Sequence, residues 1–142
     1  LSEDREKLFT LIVLNCVLRN GDAHLKNFAM VYDDVRAAAR LAPVYDLVTT
    51  TVYIPADGMA LTLDGTKRWP DAKRLRRFGE TRMQVTPARI RAILERVGDA
   101  VSRTLPEVQA HRKDQPAFSE VGGRMAQAWD TGLRRSLTDA DP

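Results

Sequence analysis

The residues best suited to chemistry lie in the stretch GDAHLKN, from Gly21 to Asn27. A carboxylate at Asp22 can orient an attacking hydroxyl and accept its proton. The side-chain oxygen of Asn27, five positions later, can bind a hard cation such as Mg²⁺. Such a loop lets one side chain face a substrate while the other faces a metal. A lone Asp on an Asn-Gly turn is more often a cap than a base, so this pattern favours phosphoryl transfer only together with further groups.

A second carboxylate is available at Asp46, in the segment LAPVYDLVTT. The separation of Asp22 and Asn27 is that of the protein-kinase catalytic loop, and a kinase carries its metal-binding Asp after a short β unit. We therefore predict that Asn27 and Asp46 bind Mg²⁺ and contact ATP, the co-substrate. A zinc site built from Asp22, His24 and Asp46 is the weaker alternative, because zinc prefers His and Cys ligands, which are scarce here.

A helix is predicted immediately before this loop. Ser2 is its expected N-cap, and Asn20-Gly21 is expected to end it, since Gly accepts the left-handed conformation that closes a helix. The apolar residues between cover most of the helix circumference and predict deep burial: Leu8, Phe9, Leu11, Ile12, Leu14, Val17 and Leu18. On this helix, Cys16 is expected to be a small apolar residue rather than a nucleophile.

A small β unit is predicted after the loop. The segments NFAMVYDD and ARLAPVYDLV are expected to form a hairpin, with Asp46 at the end of its second strand. The segment MALTLDG is expected to form a further short strand that ends on the turn signal Asp64-Gly65.

The second half of the chain carries helical patterns from Asp71 onward. Thr86-Pro87 is typical of a helix start, and Pro106 and Pro116 are expected to bracket a break that contains His111. Two apolar stripes follow helical spacing: Ile90, Ile93, Leu94, Val97 and Val101, then Phe118, Val121, Met125, Trp129 and Leu133. We predict a single domain, 1–142, that is mainly α with a small β unit and a frayed tail at 138–142.

The bulk properties of the chain set broad limits. With 142 residues, 44% apolar and 29% charged, it is expected to bury one real core. A single cysteine excludes an intramolecular disulfide and fits a cytoplasmic protein, and no apolar run suggests a membrane span or a signal peptide. Because the chain opens on Leu1 without an initiator Met, we expect it to be a piece of a longer protein.

The combination NGDAHLKNFAM…LAPVYDLVTT resembles the C-terminal half of HipA-like kinases, which are the toxins of bacterial toxin–antitoxin pairs. The likeness also takes in MALTLDGTKRW and the helical tail. It implies the C-lobe of a protein-kinase-like fold, with Asp22 as the catalytic Asp and Asn27 and Asp46 as metal ligands. Lys26 matches the same family pattern and would help to neutralise the transferred phosphate. His24 is similar to a residue in the loop of aminoglycoside phosphotransferases, although a bracing role is favoured for it.

The chain lacks the sequence motifs that cover the nucleotide phosphates in kinases. It has no G-x-G-x-x-G or G-x-x-x-x-G-K segment and no lysine-bearing V-A-I-K strand. In the family, the nucleotide-covering N-lobe precedes the segment matched here, so the isolated chain is expected to be nearly inactive. The implied partners are this N-terminal lobe, a DNA-binding antitoxin of the HipB type, DNA, and a protein substrate such as a tRNA synthetase.

A basic stretch from 67 to 91 holds nine Lys and Arg residues against Asp71 and Glu80. The default interpretation is a helix face exposed to solvent, and the more specific alternative is a surface that contacts nucleic acid. The candidate contacts are Lys67, Arg68, Lys73, Arg74, Arg76 and Arg77. Two other functions stay open: a small-molecule phosphotransferase of the aminoglycoside or choline kinase type, and a non-catalytic module that binds DNA or an antitoxin.

Overall fold

The computed structural model describes residues 2–139, and its core is built around the first helix. Helix α1 spans Ser2–Val17, so Ser2 lies in the first turn rather than before it as predicted. Phe9, Val13 and Val17 are fully buried and pack against apolar residues of the later helices. The deep burial predicted for this helix is confirmed only in part. Phe9, Val17 and Leu18 are buried, whereas the other four predicted residues are partly buried: Leu8, Leu11, Ile12 and Leu14. Cys16 is buried as predicted, with its thiol enclosed among these side chains.

The end of α1 differs from the prediction. Arg19, not Gly21, adopts the left-handed conformation, with a φ of 56°. Gly21 is needed for a different reason: a Cβ on it would lie 2.1 Å from the Asp57 carboxylate and 2.5 Å from the Gly58 carbonyl oxygen. Close approach of a second loop, rather than left-handed geometry, requires glycine at this position.

The β unit is smaller than the sequence suggests. Strands β1 (Met30–Val31) and β2 (Arg40–Leu41) pair antiparallel, which confirms the hairpin, but β2 ends well before Asp46. The predicted third strand is reduced to one bridge between Leu63 and Thr66. Asp64 and Gly65 both have positive φ at this bridge, as a tight turn with this dipeptide requires.

Three helices follow the β unit and enclose α1. Helix α2 spans Ala72–Thr81 and is capped by the Asp71 carboxylate, which accepts from the Arg74 backbone N–H at 2.8 Å. Helix α3 spans Pro87–Asp114, with the predicted Thr86 cap and Pro87 start. Helix α4 spans Ser119–Gly132 and continues as a π-helical turn at Leu133–Leu137.

The break predicted between Pro106 and Pro116 is wrong. Helix α3 runs through Pro106 and His111 and ends at Asp114. Val101 and Val108, one on each side of Pro106, are both buried, and their packing outweighs the missing backbone hydrogen bond. All five residues of the stripe predicted on α3 are buried, so this part of the prediction is confirmed.

Helices α1 and α4 touch backbone to backbone. A Cβ on Gly132 would lie 1.9 Å from the carbonyl oxygen of Val17, so only glycine permits this approach. Trp129 and Leu133, from the second predicted stripe, are partly buried against the core. The π-helical turn also brings Ser136 into the core, where its hydroxyl donates to the Pro70 carbonyl at 2.7 Å.

The chain is thus mainly helical with a small two-stranded sheet, as predicted. The kinase-type C-lobe and the single-domain boundaries stay predictions. Of the predicted tail at 138–142, residues 140–142 lie outside the described residues. Within residues 2–139, every helix is too short or too polar to cross a bilayer.

Candidate active site

A buried asparagine joins the loop to the helix that precedes it. Asn20 is 2% exposed, and its side-chain amide donates to Asn15 Oδ1 at 2.7 Å and to the Asp46 carbonyl at 3.2 Å. Its own Oδ1 accepts from the Asp22 backbone N–H at 3.1 Å. One side chain therefore fixes Asp22 and Asp46 relative to α1.

A second set of hydrogen bonds holds the start of the loop. The Gly21 N–H donates to Thr50 Oγ1 at 2.8 Å, and the Thr50 hydroxyl lies 2.6 Å from Asp57 Oδ2. Asp57 is fixed in turn, because its carbonyl accepts from the Trp69 indole at 3.0 Å. The backbone at Gly21 is thus held between α1 and the segment that follows the hairpin.

Asn27 shapes the rest of the loop. It ends a single 3₁₀ turn, Leu25–Asn27, and is buried. Its Oδ1 accepts from the His24 backbone N–H at 3.0 Å, and its Nδ2 donates to Asp46 Oδ2 at 2.8 Å. The two predicted metal ligands are therefore in direct contact, across 19 positions of sequence.

Asp46 lies in an exposed, extended segment rather than on a strand. It adopts a left-handed backbone with a φ of 59°, a conformation that Asp tolerates better than most residues. Asn20 and Asn27 hold it, as described above. Its neighbour Tyr45 adds a further link, because the phenol donates to the Lys26 carbonyl. The segment is thus attached to the loop mainly by polar side chains.

Three predicted catalytic side chains face solvent. The Asp22 side chain is 64% exposed and its carboxylate lies 3.9 Å from His24 Nε2, too far for a hydrogen bond. His24 Nδ1 is buried without a hydrogen-bond partner among the described residues, so the imidazole does not brace the loop through this atom. Lys26 is exposed, and only its carbonyl joins the network.

The donor set at this site suits a hard cation. Asn27 and Asp46 carry amide and carboxylate oxygens, ligand types that Mg²⁺ prefers, and Mg²⁺ usually takes its other ligands from water and substrate phosphates. In this structure the Asn27 amide faces Asp46 with its nitrogen, while its oxygen accepts from the His24 N–H. No cluster of three or more His, Cys, Asp or Glu that could hold a metal occurs within residues 2–139. The residues of the zinc alternative, Asp22, His24 and Asp46, therefore do not form such a cluster.

The predicted nucleic-acid contacts are divided by the structure into two groups. Three arginines are engaged within the protein: Arg74 donates to the Leu63 carbonyl at 2.8 Å, Arg76 pairs with Asp139 at 2.7 Å, and Arg77 pairs with Asp64 at 3.1 Å. Lys67, Arg68 and Lys73 are exposed. The role of all six in binding nucleic acid stays a prediction.

Sequence reasoning missed the residues that support this site. Asn15, Asn20, Tyr45, Thr50 and Asp57 form the hydrogen bonds that fix the loop. A weak signal was present, because Asn15 interrupts the apolar second half of the helix and lies five positions before Asn20. A buried amide needs a partner, and the next amide along the chain was the available candidate.

Comparison with known proteins adds an independent result. The family described as HipA-like C-terminal domain matches residues 1–105. "Putative kinase Y4mE" of Sinorhizobium fredii is 31% identical over 107 residues, which cover 71% of this chain and 25% of the relative. "Putative kinase Y4dM" of the same organism is 43% identical over 58 residues, 40% of this chain and 14% of the relative. The chain thus matches a quarter or less of the length of these relatives.

Proposed function

Because this chain belongs to the HipA-like C-terminal domain family, we propose that it is the catalytic lobe of a serine/threonine protein kinase. The kinase names of the two relatives support phosphotransferase activity in general. The observation that carries the proposal is the 2.8 Å contact between Asn27 and Asp46, with Asp22 tied to the same network through Asn20.

In this proposal Asp22 is the base. Its exposed carboxylate orients a substrate hydroxyl and accepts its proton as the γ-phosphoryl group of ATP is transferred. Asn27 and Asp46 would hold Mg²⁺, which would neutralise charge on the nucleotide phosphates. His24 and Lys26 would face the substrate in this proposal, and the exposed Lys26 ammonium would offset phosphate charge.

An apolar face beside the site supports the need for a second lobe. Within residues 2–139, the exposed large hydrophobic side chains lie between residues 25 and 54, the segment that holds Asn27 and Asp46: Leu25, Met30, Tyr32, Val35, Val44, Tyr45, Leu47, Val48, Tyr53 and Ile54. Exposed apolar side chains in such number within one segment are typical of a surface that another domain covers. We propose that the nucleotide-covering lobe covers it in the whole protein.

The partners follow from the family. We propose that the whole protein is the toxin of a toxin–antitoxin pair, that it associates with a DNA-binding antitoxin, and that it phosphorylates a protein such as a tRNA synthetase. A search for phosphorylated serine and threonine in cell extract, with and without the intact kinase, tests the substrate class. Transfer to small alcohols instead of protein would point to a small-molecule phosphotransferase.

The test of the mechanism uses the intact protein that carries this chain. Asp22→Asn should lower turnover by about 10²–10⁴ with folding unchanged, because it removes the proton acceptor but keeps the shape. Asp33→Asn is the matched control, since Asp33 is an exposed carboxylate of the hairpin that pairs with Arg40, away from the Asn27–Asp46 contact. Near wild-type turnover in Asp22→Asn would contradict the assignment.

The metal ligands are tested by binding rather than by rate. Asp46→Ala should weaken the Mg²⁺-dependent part of nucleotide affinity and leave the Mg²⁺-independent part unchanged. Unchanged affinity in the presence of Mg²⁺ would remove Asp46 from the site.

A further inference from the structure

A cavity apart from the Asn27–Asp46 contact is lined by three arginines. Its volume is about 860 Å³, and its walls include Arg19, Arg124, Arg135, Thr51 and Trp69. The carboxylate among the lining residues belongs to Asp71, which already caps helix α2. Three arginines and one carboxylate thus line the cavity, and one of the arginines, Arg124, is paired with Glu120 outside it.

Arg19 is the most unusual of these residues. It is 5% exposed, yet no carboxylate pairs with it within residues 2–139. Its Nη1 donates to the Cys16 carbonyl at 3.0 Å and to Ser136 Oγ at 3.1 Å, while Nε and Nη2 have no hydrogen-bond partner in the described chain. Burial lowers the pKa of this guanidinium, which nevertheless stays charged at neutral pH.

Arg19 is also held in a costly conformation. Its backbone is left-handed, which costs a residue with a Cβ about 1–2 kcal/mol relative to glycine. Its guanidinium carbon lies 5.1 Å from the centre of the Trp69 ring, and this cation–π contact fixes the group at the cavity wall. A buried, strained cation without a counter-ion is more consistent with binding than with stability.

Neighbouring groups add donors at the same wall. Thr51 Oγ1 is buried and has no hydrogen-bond partner in the part of the chain that is described. Arg135 is exposed, forms no ion pair in residues 2–139, and its charge acts on Arg19. Arg124 is partly engaged, because it pairs with Glu120 and donates to the Val52 carbonyl at 3.1 Å.

We propose that this cavity binds a dianionic phosphate, either free or as a monoester, with Arg19 and Arg135 as the principal ligands. A dianionic phosphate matches the forked donors of two guanidinium groups better than a single carboxylate would. The cavity is much larger than one phosphate, which leaves room for the group that carries it. The proposal is independent of the catalytic role of Asp22.

Hydrogen bonds connect the cavity to the loop that holds Asp22. The Arg19 carbonyl accepts from the Thr50 backbone N–H at 3.2 Å, and the Thr50 side chain holds Gly21. A phosphate bound to Arg19 would therefore lie two residues before Gly21, which Thr50 holds. It would fix the backbone that precedes Asp22.

The test titrates the 142-residue chain with three probes: inorganic phosphate, a phosphoserine peptide, and the same peptide without phosphate. We expect saturable binding of phosphate or of the phosphopeptide, and none of the plain peptide. Much tighter binding of the phosphopeptide identifies a phosphorylated protein as the source, and equal binding identifies free phosphate. In both cases the indole N–H resonance of Trp69 should shift, while that of Trp129 serves as the internal reference.

Matched variants locate the binding. Arg135→Gln should weaken phosphate binding about tenfold, because one charge-assisted contact is lost. Arg134→Gln is the control: this adjacent exposed arginine pairs with Asp130 and does not line the cavity. Arg19→Lys, which keeps the charge but removes the fork, should also weaken binding about tenfold in protein whose circular dichroism is unchanged.

Two results would overturn the proposal. One is the absence of saturable binding of both phosphate and phosphopeptide. The other is an equal affinity in Arg135→Gln and Arg134→Gln, which would place any bound phosphate elsewhere on the surface.

Discussion

Replacing Asn20 by alanine tests whether one buried amide fixes the candidate site. The substitution removes three hydrogen bonds: those to Asn15 Oδ1, to the Asp46 carbonyl and from the Asp22 N–H. At about 0.5–1.5 kcal/mol net for each, and with Asn15 Oδ1 left buried without its donor, we expect a loss of roughly 2–4 kcal/mol in the free energy of unfolding. Because Asn20 is 2% exposed, water cannot readily replace the lost partners.

The assay is urea denaturation of Asn20→Ala beside wild type, followed by circular dichroism. Gln109→Ala is the control, since Gln109 accepts a hydrogen bond from Arg112 on an exposed face of α3 and should change stability by less than about 0.5 kcal/mol. A double-mutant cycle with Asn15→Ala isolates the amide pair and should give a coupling of about 0.5–3 kcal/mol. A loss below about 0.5 kcal/mol in Asn20→Ala, or no coupling to Asn15, would refute the reasoning.

Three further predictions concern the scaffold. Gly132→Ala should destabilise the fold by roughly 2–3 kcal/mol in the same denaturation assay, because the added Cβ meets the Val17 carbonyl. Gly123→Ala is the control and should cost much less, because its Cβ meets only the end of the Arg112 side chain. Burial raises the pKa of Cys16 to about 12, so a thiol reagent at pH 8 should label it only as fast as the protein unfolds; rapid labelling of native protein would contradict this burial. Asp71→Ala should lose about 1 kcal/mol, because the N-cap of α2 is removed, and an unchanged midpoint of unfolding would contradict it.

Local patterns predicted the parts of the fold that depend on local physics. The apolar face of α1, the Thr86-Pro87 start of α3 and the Asp64-Gly65 turn all follow from residue preferences within a few positions. The sequence also predicted that Asn27 and Asp46 lie together as ligands of one cation. The structure joins them by a hydrogen bond from Asn27 Nδ2 to Asp46 Oδ2, and their role as metal ligands stays a prediction.

Contacts between distant segments decided the remaining features. Gly21 is a glycine because the Asp57 loop approaches it, and nothing near Gly21 in the sequence indicates that approach. The continuation of α3 past Pro106 depends on the burial of Val101 and Val108 by other elements. The left-handed backbone of Asp46 likewise reflects the amides that hold it, rather than any preference of the segment LAPVYDLV.

The uncovered apolar face between residues 25 and 54 has a practical consequence for solution experiments. Two chains can hide these side chains from water by meeting face to face, and the driving force grows with protein concentration. Light scattering over a dilution series should therefore accompany every titration of the isolated chain. Measurements made where the apparent mass is constant and equal to 15.9 kDa report on a single copy.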